Sequence, residues 1–428
     1  MQVPEVKVGL LGCGNVGGAL VRILQDDAEG IARRTGVRLE VTRVAVRNAA
    51  KQRDVEVSDG VLTHDAEAVV TDPSVDVVVE VIGGIEPARS LILAALKAGK
   101  PVVTANKELL ANVGAELFEA AATAGVDLLY EASVAGGIPL IRPLRESLAG
   151  ERISRVMGIV NGTTNYILTR MAEEGASYAD ALAEAQSLGF AERDPTADVE
   201  GFDAGAKAAI IASIAFGVKV VAGDVYREGI SSVTAADIAF ARRLGYVVKL
   251  LAIAEEVDGE VAVRVHPAML PETHPLAAVR ESFNAVFVEG EAVGELMFYG
   301  RGAGGMPTAS AVLGDLIDAA HNLRAGGSGR TSPLAKGTIR PIDEMSSQFY
   351  LDVTVDDRPG VLAAVAAVFG EHQVSIRSME QVGMGAEARL VFITHTARER
   401  DMQATISGLR HLEAVERIGS FLRVVGPE

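Results

Sequence analysis

Runs of β-branched residues alternate with helix-period stretches over the first third of the chain. Residues 6–11 form a short apolar run that stops at Gly12, and 17–24 then carries helical spacing. Residues 37–46 read as a second strand, 75–82 as a third and 101–104 as a fourth. Residues 87–98 are predicted helical, with Pro87 at the start and Gly99 past the end, where each is best tolerated. Strands alternating with helices predict a parallel, doubly wound sheet, because parallel neighbours need a crossover.

The pattern changes after residue 139. Residues 140–145 read as a helix, 152–159 as a strand, and 163–174 and 178–188 as helices. The Ala/Ile-rich stretch 203–216 is apolar on nearly every side and predicts a buried helix. Strands are expected at 246–255, 261–267 and 285–289, giving an α+β region. A long helix over 307–323 is expected to return to the first sheet, and the Gly/Ser/Arg-rich 324–337 reads as a loop. The last eighty residues read as a self-contained unit. Its strands are expected at 349–355, 374–381, 388–394 and 415–424, with helices at 361–369 and from about 399. That is the β-α-β-β-α-β, ferredoxin-like order.

With 49% apolar and 23% charged residues the chain is globular, and with 4% aromatics and no Trp its cores must be aliphatic. The net charge of −17 argues against a nucleic-acid partner, which needs a surplus of positive charge on one face. One cysteine, Cys13, excludes an internal disulfide and fits a reducing cytoplasm. No secretory signal or bilayer-length apolar run is visible, so no membrane is expected.

Gly12, Gly14 and Gly17 form G-x-G-x-x-G between a strand and a helix, with Asn15 and Val16 inside the loop. In that context the glycines make a tight turn, let the backbone approach a pyrophosphate and bring helix and strand together. This is a Rossmann-type dinucleotide site. The second strand ends in Arg47 rather than an acid, and Glu40 is at the wrong end of it. Arg47 fits a 2′-phosphate, which favours NADP. A solvated surface arginine is the other reading, and NAD is not excluded.

The fourth strand ends in Thr104-Ala-Asn-Lys107, and ligands in such sheets lie beyond the carboxyl ends of strands. The stretch 189–207 concentrates the acids Glu192, Asp194, Asp198, Glu200 and Asp203, and ends in Lys207. Asp203 and Lys207 are four apart on one predicted helix, a spacing that usually means a surface ion pair. The sequence after Lys207 is apolar on every side, so a partly buried lysine suited to proton transfer is the stronger reading.

The run from Ala185 to Lys207 resembles the signature of homoserine dehydrogenases: Ala, three residues, Gly189-Phe, Asp194-Pro, two residues, Asp198-Val-x-Gly-x-Asp203, three residues, Lys207. Thr104-Ala-Asn-Lys107, Tyr130-Glu-Ala-Ser-Val-Ala-Gly-Gly-Ile-Pro139 and Asn161-Gly-Thr-Thr-Asn-Tyr166 resemble further blocks of that family in the same order. The resemblance implies NAD(P)-dependent interconversion of L-homoserine and L-aspartate 4-semialdehyde, on the route to threonine, methionine and isoleucine. It implies Lys207 as proton donor, Lys107 beside substrate and nicotinamide, and Glu192, Asp198 and Asp203 as substrate-binding carboxylates. It also implies a sodium site at Glu131, Val134, Gly136 and Ile138, and cofactor contacts at Thr104, Gly189 and Gly302.

The terminal stretch, with Asp357-Arg358-Pro359-Gly360-Val-Leu362, resembles an ACT domain. That implies an amino-acid effector, threonine foremost, and a homodimer or homotetramer. A purely structural module is the alternative. The expected organisation is a nucleotide domain over 1–135 completed by helix 306–325, a substrate-binding and dimerisation domain over 136–305, a linker over 326–347 and an ACT domain over 348–428. An acylating aldehyde dehydrogenase fails because the only thiol sits in the nucleotide loop. A non-catalytic amino-acid sensor with a Rossmann body and an ACT tail is the remaining rival. Retention of Lys107, Glu192, Asp203 and Lys207 together argues against it.

Overall fold

The computed structural model describes residues 3–48, 52–58, 60–329, 334–383 and 385–426, so residues 330–333 of the expected linker lie outside the described residues. The chain divides into two units. One comprises 1–156, 206–225 and 284–337, the other 157–205, 226–283 and 338–428.

In the first unit the predicted alternation becomes a six-stranded sheet, ordered β3-β2-β1-β4-β5-β6 and parallel throughout. The strands are β1 (Glu5–Leu11), β2 (Arg38–Ala45), β3 (Leu62–Thr63), β4 (Val77–Glu80), β5 (Val102–Thr104) and β6 (Leu128–Leu129). Four helices connect them: α1 (Asn15–Thr35), α2 (Ala66–Thr71), α3 (Ala88–Lys97) and α4 (Lys107–Ala124). The order reverses at β1 and β4, the switch point where such sheets open a ligand crevice.

The core here is aliphatic, as the scarcity of aromatics requires. Val8, Leu10, Leu20, Val77, Val79 and Val103 are buried together. The helix Gly305–Arg324 returns to this core through Ala309, Val312 and Leu316, as its spacing predicts. Helix α4 adds an element to those the sequence pattern predicts, and Asn106 caps it by accepting the Leu109 N–H at 3.1 Å. The predicted helix at 140–145 is present but short and wide: it opens into a π-helical turn over Pro143–Ser147, closed by the Leu148 N–H on the Pro143 carbonyl at 2.8 Å.

In the second unit a twelve-residue strand, Tyr246–Val257, pairs antiparallel with another, Glu260–Pro271. The terminal strands Ser346–Asp356, Ile376–Gly383, Glu387–Thr394 and Val415–Val424 pair in ferredoxin-like order, with the last two flanking the first. Helices Val361–Glu371 and Glu399–Arg410 bring Val365, Phe369, Met402 and Leu409 onto that sheet.

One expectation needs revision. The terminal stretch is not closed off from the rest of its unit. Its last strand also pairs in parallel with Glu260–Pro271, at Ala268↔Arg423 and Met269↔Val424. An unpaired strand edge would leave main-chain donors and acceptors unsatisfied, and this pairing satisfies them. Side chains reinforce it. Arg423, 1% exposed, donates to both Glu228 and Glu399. Asp237 accepts from Tyr350 Oη at 2.9 Å and Ser420 Oγ at 2.5 Å.

Candidate active site

The glycine loop follows from three different steric demands. Gly12 has φ +98°, and a Cβ there would lie 2.9 Å from the Val81 carbonyl. A Cβ on Gly17 would lie 2.1 Å from the Gly12 carbonyl, so only glycine lets α1 start this close to β1. A Cβ on Gly14 would meet nothing within 4 Å. Gly14 therefore keeps an open approach to the main chain at the start of α1, where backbone N–H groups favour an anion. Asn15 and Val16 begin the helix. Cys13 is half-buried, and burial raises its thiol pKa, which makes it a poor nucleophile. Arg47 is exposed just past β2.

At the switch point a buried carboxylate shapes the crevice. Glu80, the last residue of β4, accepts from Thr104 Oγ1 at 2.6 Å and from the Ile82 and Gly83 N–H groups. Thr104 in turn accepts the Asn106 N–H at 3.0 Å, so the residues before Lys107 are held rigidly. Lys107 opens α4. Lys107 and Lys207 line one cavity of about 270 Å³, together with Val16, Ala105, Gly302 and Thr308. Lys207 is 8% exposed, in agreement with the burial expected of it. Gly302 is fitted tightly, since a Cβ there would lie 1.9 Å from Asn284 Nδ2.

The carboxylates lie in the second unit. Asp198 lies in a short helix, Thr196–Val199, and Asp203 is in the first turn of helix Phe202–Phe216. Both accept from the same amide: Asn161 Nδ2 donates to Asp198 Oδ1 at 2.7 Å and to Asp203 Oδ2 at 2.9 Å. Glu192 is exposed in the loop between Phe190 and Pro195, and Gly189, φ 76°, is exposed just upstream.

The expected cation loop is buried in the first unit. Ala135 and Gly136 both have φ 56°, which bends the main chain sharply between Val134 and Ile138. The Glu131 carboxylate accepts the N–H groups of Leu140, Ile141 and Arg142 at 2.5–2.8 Å. A carboxylate has about four lone-pair positions, and these N–H groups take up three of them. One carboxylate with main-chain carbonyls is the kind of donor set that hard cations take. Beneath the loop, Asp315 accepts the Glu131 N–H at 2.8 Å, and burial pushes its pKa up to about 7.

A glycine loop at a sheet switch point, beside two lysines in one cavity, defines an oxidoreductase built on a nicotinamide-dinucleotide fold. Comparison with known proteins agrees. The family profile "Homoserine dehydrogenase, NAD binding domain" matches residues 12–131, "Homoserine dehydrogenase" 139–317 and "ACT domain" 349–410. The homoserine dehydrogenase of Corynebacterium glutamicum is 52% identical, over 98% of this chain and 95% of its own. The crystal structure of a homoserine dehydrogenase from Thiobacillus denitrificans superposes with a TM-score of 0.94 at 42% identity, covering 99% of each chain. A hyperthermophilic archaeal homoserine dehydrogenase in complex with NADPH gives 0.64 at 31% identity, over 74% of this chain and 98% of that one. The chain belongs to the homoserine dehydrogenase family.

Two residues escaped the sequence reading. Glu80 looks like an ordinary strand-end acid, and only the sheet order shows it buried under Thr104. Asn161 lies within a motif quoted for the resemblance, but nothing in its spacing reveals that it joins Asp198 to Asp203, 37 and 42 residues away.

Proposed function

We propose that the chain interconverts L-homoserine and L-aspartate 4-semialdehyde, using NADP in preference to NAD, and is inhibited by threonine through its ACT domain. The observation that carries this reading is the meeting of Lys107 and Lys207 on one cavity beside the glycine loop. The dinucleotide, when bound, supplies or accepts the hydride. Lys207 gives a proton to the carbonyl oxygen as the aldehyde is reduced and removes it from the hydroxyl in the reverse direction. Lys107 stabilises the negative charge that develops on that oxygen. Glu192, Asp198 and Asp203 hold the α-ammonium by charge-assisted hydrogen bonds and so orient the aldehyde.

Gly12, Gly14, Asn15, Val16, Gly17, Thr104, Gly189 and Gly302 are the proposed dinucleotide contacts, with Arg47 on the 2′-phosphate. Glu131 and the carbonyls of Val134, Gly136 and Ile138 would hold sodium, which would stiffen the loop behind the cavity. We assign 1–135 with helix 306–325 to the nucleotide domain, 136–305 to substrate binding and dimerisation, 326–347 to the linker and 348–428 to regulation. A cytoplasmic homodimer or homotetramer fits this assignment. Among the described residues no helix is long and apolar enough to cross a membrane.

The test is a steady-state assay with homoserine, comparing both nucleotides with and without threonine. A lower KM for NADP and a fall in rate with threonine are expected. Arg47→Ala should raise the KM for NADP more than that for NAD. Equal effects would remove Arg47 from the cofactor site, and a rate indifferent to threonine would remove the effector assignment.

A further inference from the structure

We infer that Asn161 is a positioning residue that spaces Asp198 and Asp203 and keeps both ionised for the substrate ammonium. This rests on the assignment of those carboxylates to substrate binding. Asn161 precedes helix Gly162–Glu174 as its N-cap. Its Oδ1 accepts from the Thr164 N–H at 2.9 Å and from Thr164 Oγ1 at 3.0 Å. The Thr164 N–H can only donate, so the amide orientation is fixed and Nδ2 must face away from it. Both Nδ2 protons then go to carboxylates, one on Asp198 and one on Asp203. One planar amide, 5% exposed, thus joins two acids from different helices.

The chemistry needs such a bridge. Two carboxylates close together repel, and one of them tends to take up a proton. A protonated acid is a poor partner for an ammonium. Hydrogen bonds donated to the charged form favour ionisation, and a neutral amide donates them without neutralising the charge the substrate must meet. A lysine or arginine at this position would compete with the ammonium.

The bridge is itself held on several sides. A Cβ on Gly162 would lie 2.6 Å from the Ser282 carbonyl, so the helix start is pressed against the loop before strand Phe283–Gly290. One turn on, Asn165 Nδ2 donates to the Glu281 carbonyl at 2.8 Å, and buried Lys249 donates to Asn165 Oδ1 at 2.9 Å. Thr163 Oγ1 donates to the Phe190 carbonyl at 2.6 Å. Asn161 therefore has little freedom to follow a carboxylate that moves, and the carboxylates must come to it.

Two variants separate capping from bridging in the full-length protein. Asn161→Ser keeps a preferred cap oxygen but is too short to reach both acids. Asn161→Asp keeps the cap and the shape but replaces the donor with a third carboxylate. Readouts are Tm, the Kd for NADP and the pH profile of kcat/KM for homoserine. Asn161→Ser is expected to lower kcat/KM about 10- to 100-fold through KM, the usual loss for a hydrogen bond to a charged group. The acid limb should move to higher pH, with Tm and the Kd for NADP little changed. Asn161→Asp should lose more at neutral pH and regain part of its activity as pH falls and one acid protonates. Wild-type KM and acid limb in both variants would overturn the inference. Asp203→Asn is the control. If it too leaves the homoserine KM unchanged, the assignment of the carboxylates fails. If it raises KM while the Asn161 variants do not, only the bridge fails.

Discussion

The nucleotide-binding sheet and the terminal sheet meet the same problem, covering a strand edge and filling a core, with opposite materials. In the first unit the core is almost entirely Val, Leu and Ala, and close approach depends on glycine. In the second, the terminal sheet also has an apolar core, but the seam to Glu260–Pro271 is closed by charge: Arg423 between Glu228 and Glu399, and Asp237 under Tyr350, Ser420 and Arg389. An aliphatic core tolerates small losses of shape. A buried charge seam does not tolerate the loss of one partner, because the charge left behind cannot return to water.

The largest effect should therefore come from removing the terminal strands. Deletion from residue 346 strips the partner of Ala268 and Met269 and leaves Glu228 and Asp237 facing lost ligands. The shortened chain is expected to lose cooperative folding of its second unit in thermal melts monitored by circular dichroism. A full-length Tm together with unregulated activity would show instead that the seam is dispensable and the tail separable. Arg423→Met is expected to cost about 3–5 kcal/mol in urea unfolding, the usual penalty for orphaning a buried carboxylate. A change of less than about 1 kcal/mol would mean that the charges balance without it.

The second unit also buries Lys249, whose ammonium reaches Asn165 Oδ1 and the Val279 carbonyl. Burial lowers its pKa from 10.5 to about 8. The unfolded chain then binds more protons than the native one between pH 8 and 10.5, so stability rises across that window. The contribution is on the order of 3 kcal/mol at 1.36 kcal/mol for each pH unit. Lys249→Met should flatten this rise in urea midpoints measured from pH 7.5 to 10. An unchanged slope would place the titration elsewhere.

Smaller effects are expected in the glycine loop, and they divide by position. Gly17→Ala must displace the Gly12 carbonyl and should cost about 1–3 kcal/mol. Gly14→Ala has open space, so stability should stay within about 0.5 kcal/mol while the Kd for NADP rises. Equal destabilisation by both would contradict the different roles given to the two glycines.

The two regions also differ in how much of them was legible in the sequence. The glycine loop, the β-branched strands of the first sheet and the returning helix were readable because apolar periodicity reports burial. The seam was not readable, because Arg423 and Glu399 look like surface residues until the fold buries them, with Glu228 half-buried beside them. At the site, Lys207 stood out because the helix after it is apolar all round. Lys107 was located by its strand end, although α4, which it opens, went unread. Asp198 and Asp203 were marked by their motif, but Asn161 between them depends on a long-range approach that no local pattern records.

Lys107 and Lys207 lie on the walls of one cavity, and the proposed mechanism has both act on one oxygen. Single-turnover hydride transfer from NADPH to aspartate 4-semialdehyde, followed by nicotinamide absorbance in Lys207→Ala, tests it most directly. The account predicts a rate lower by about 100-fold or more, within the 10²–10⁴ typical of a lost general acid, with the Kd for NADPH unchanged. A rate within about threefold of the parent enzyme would contradict it.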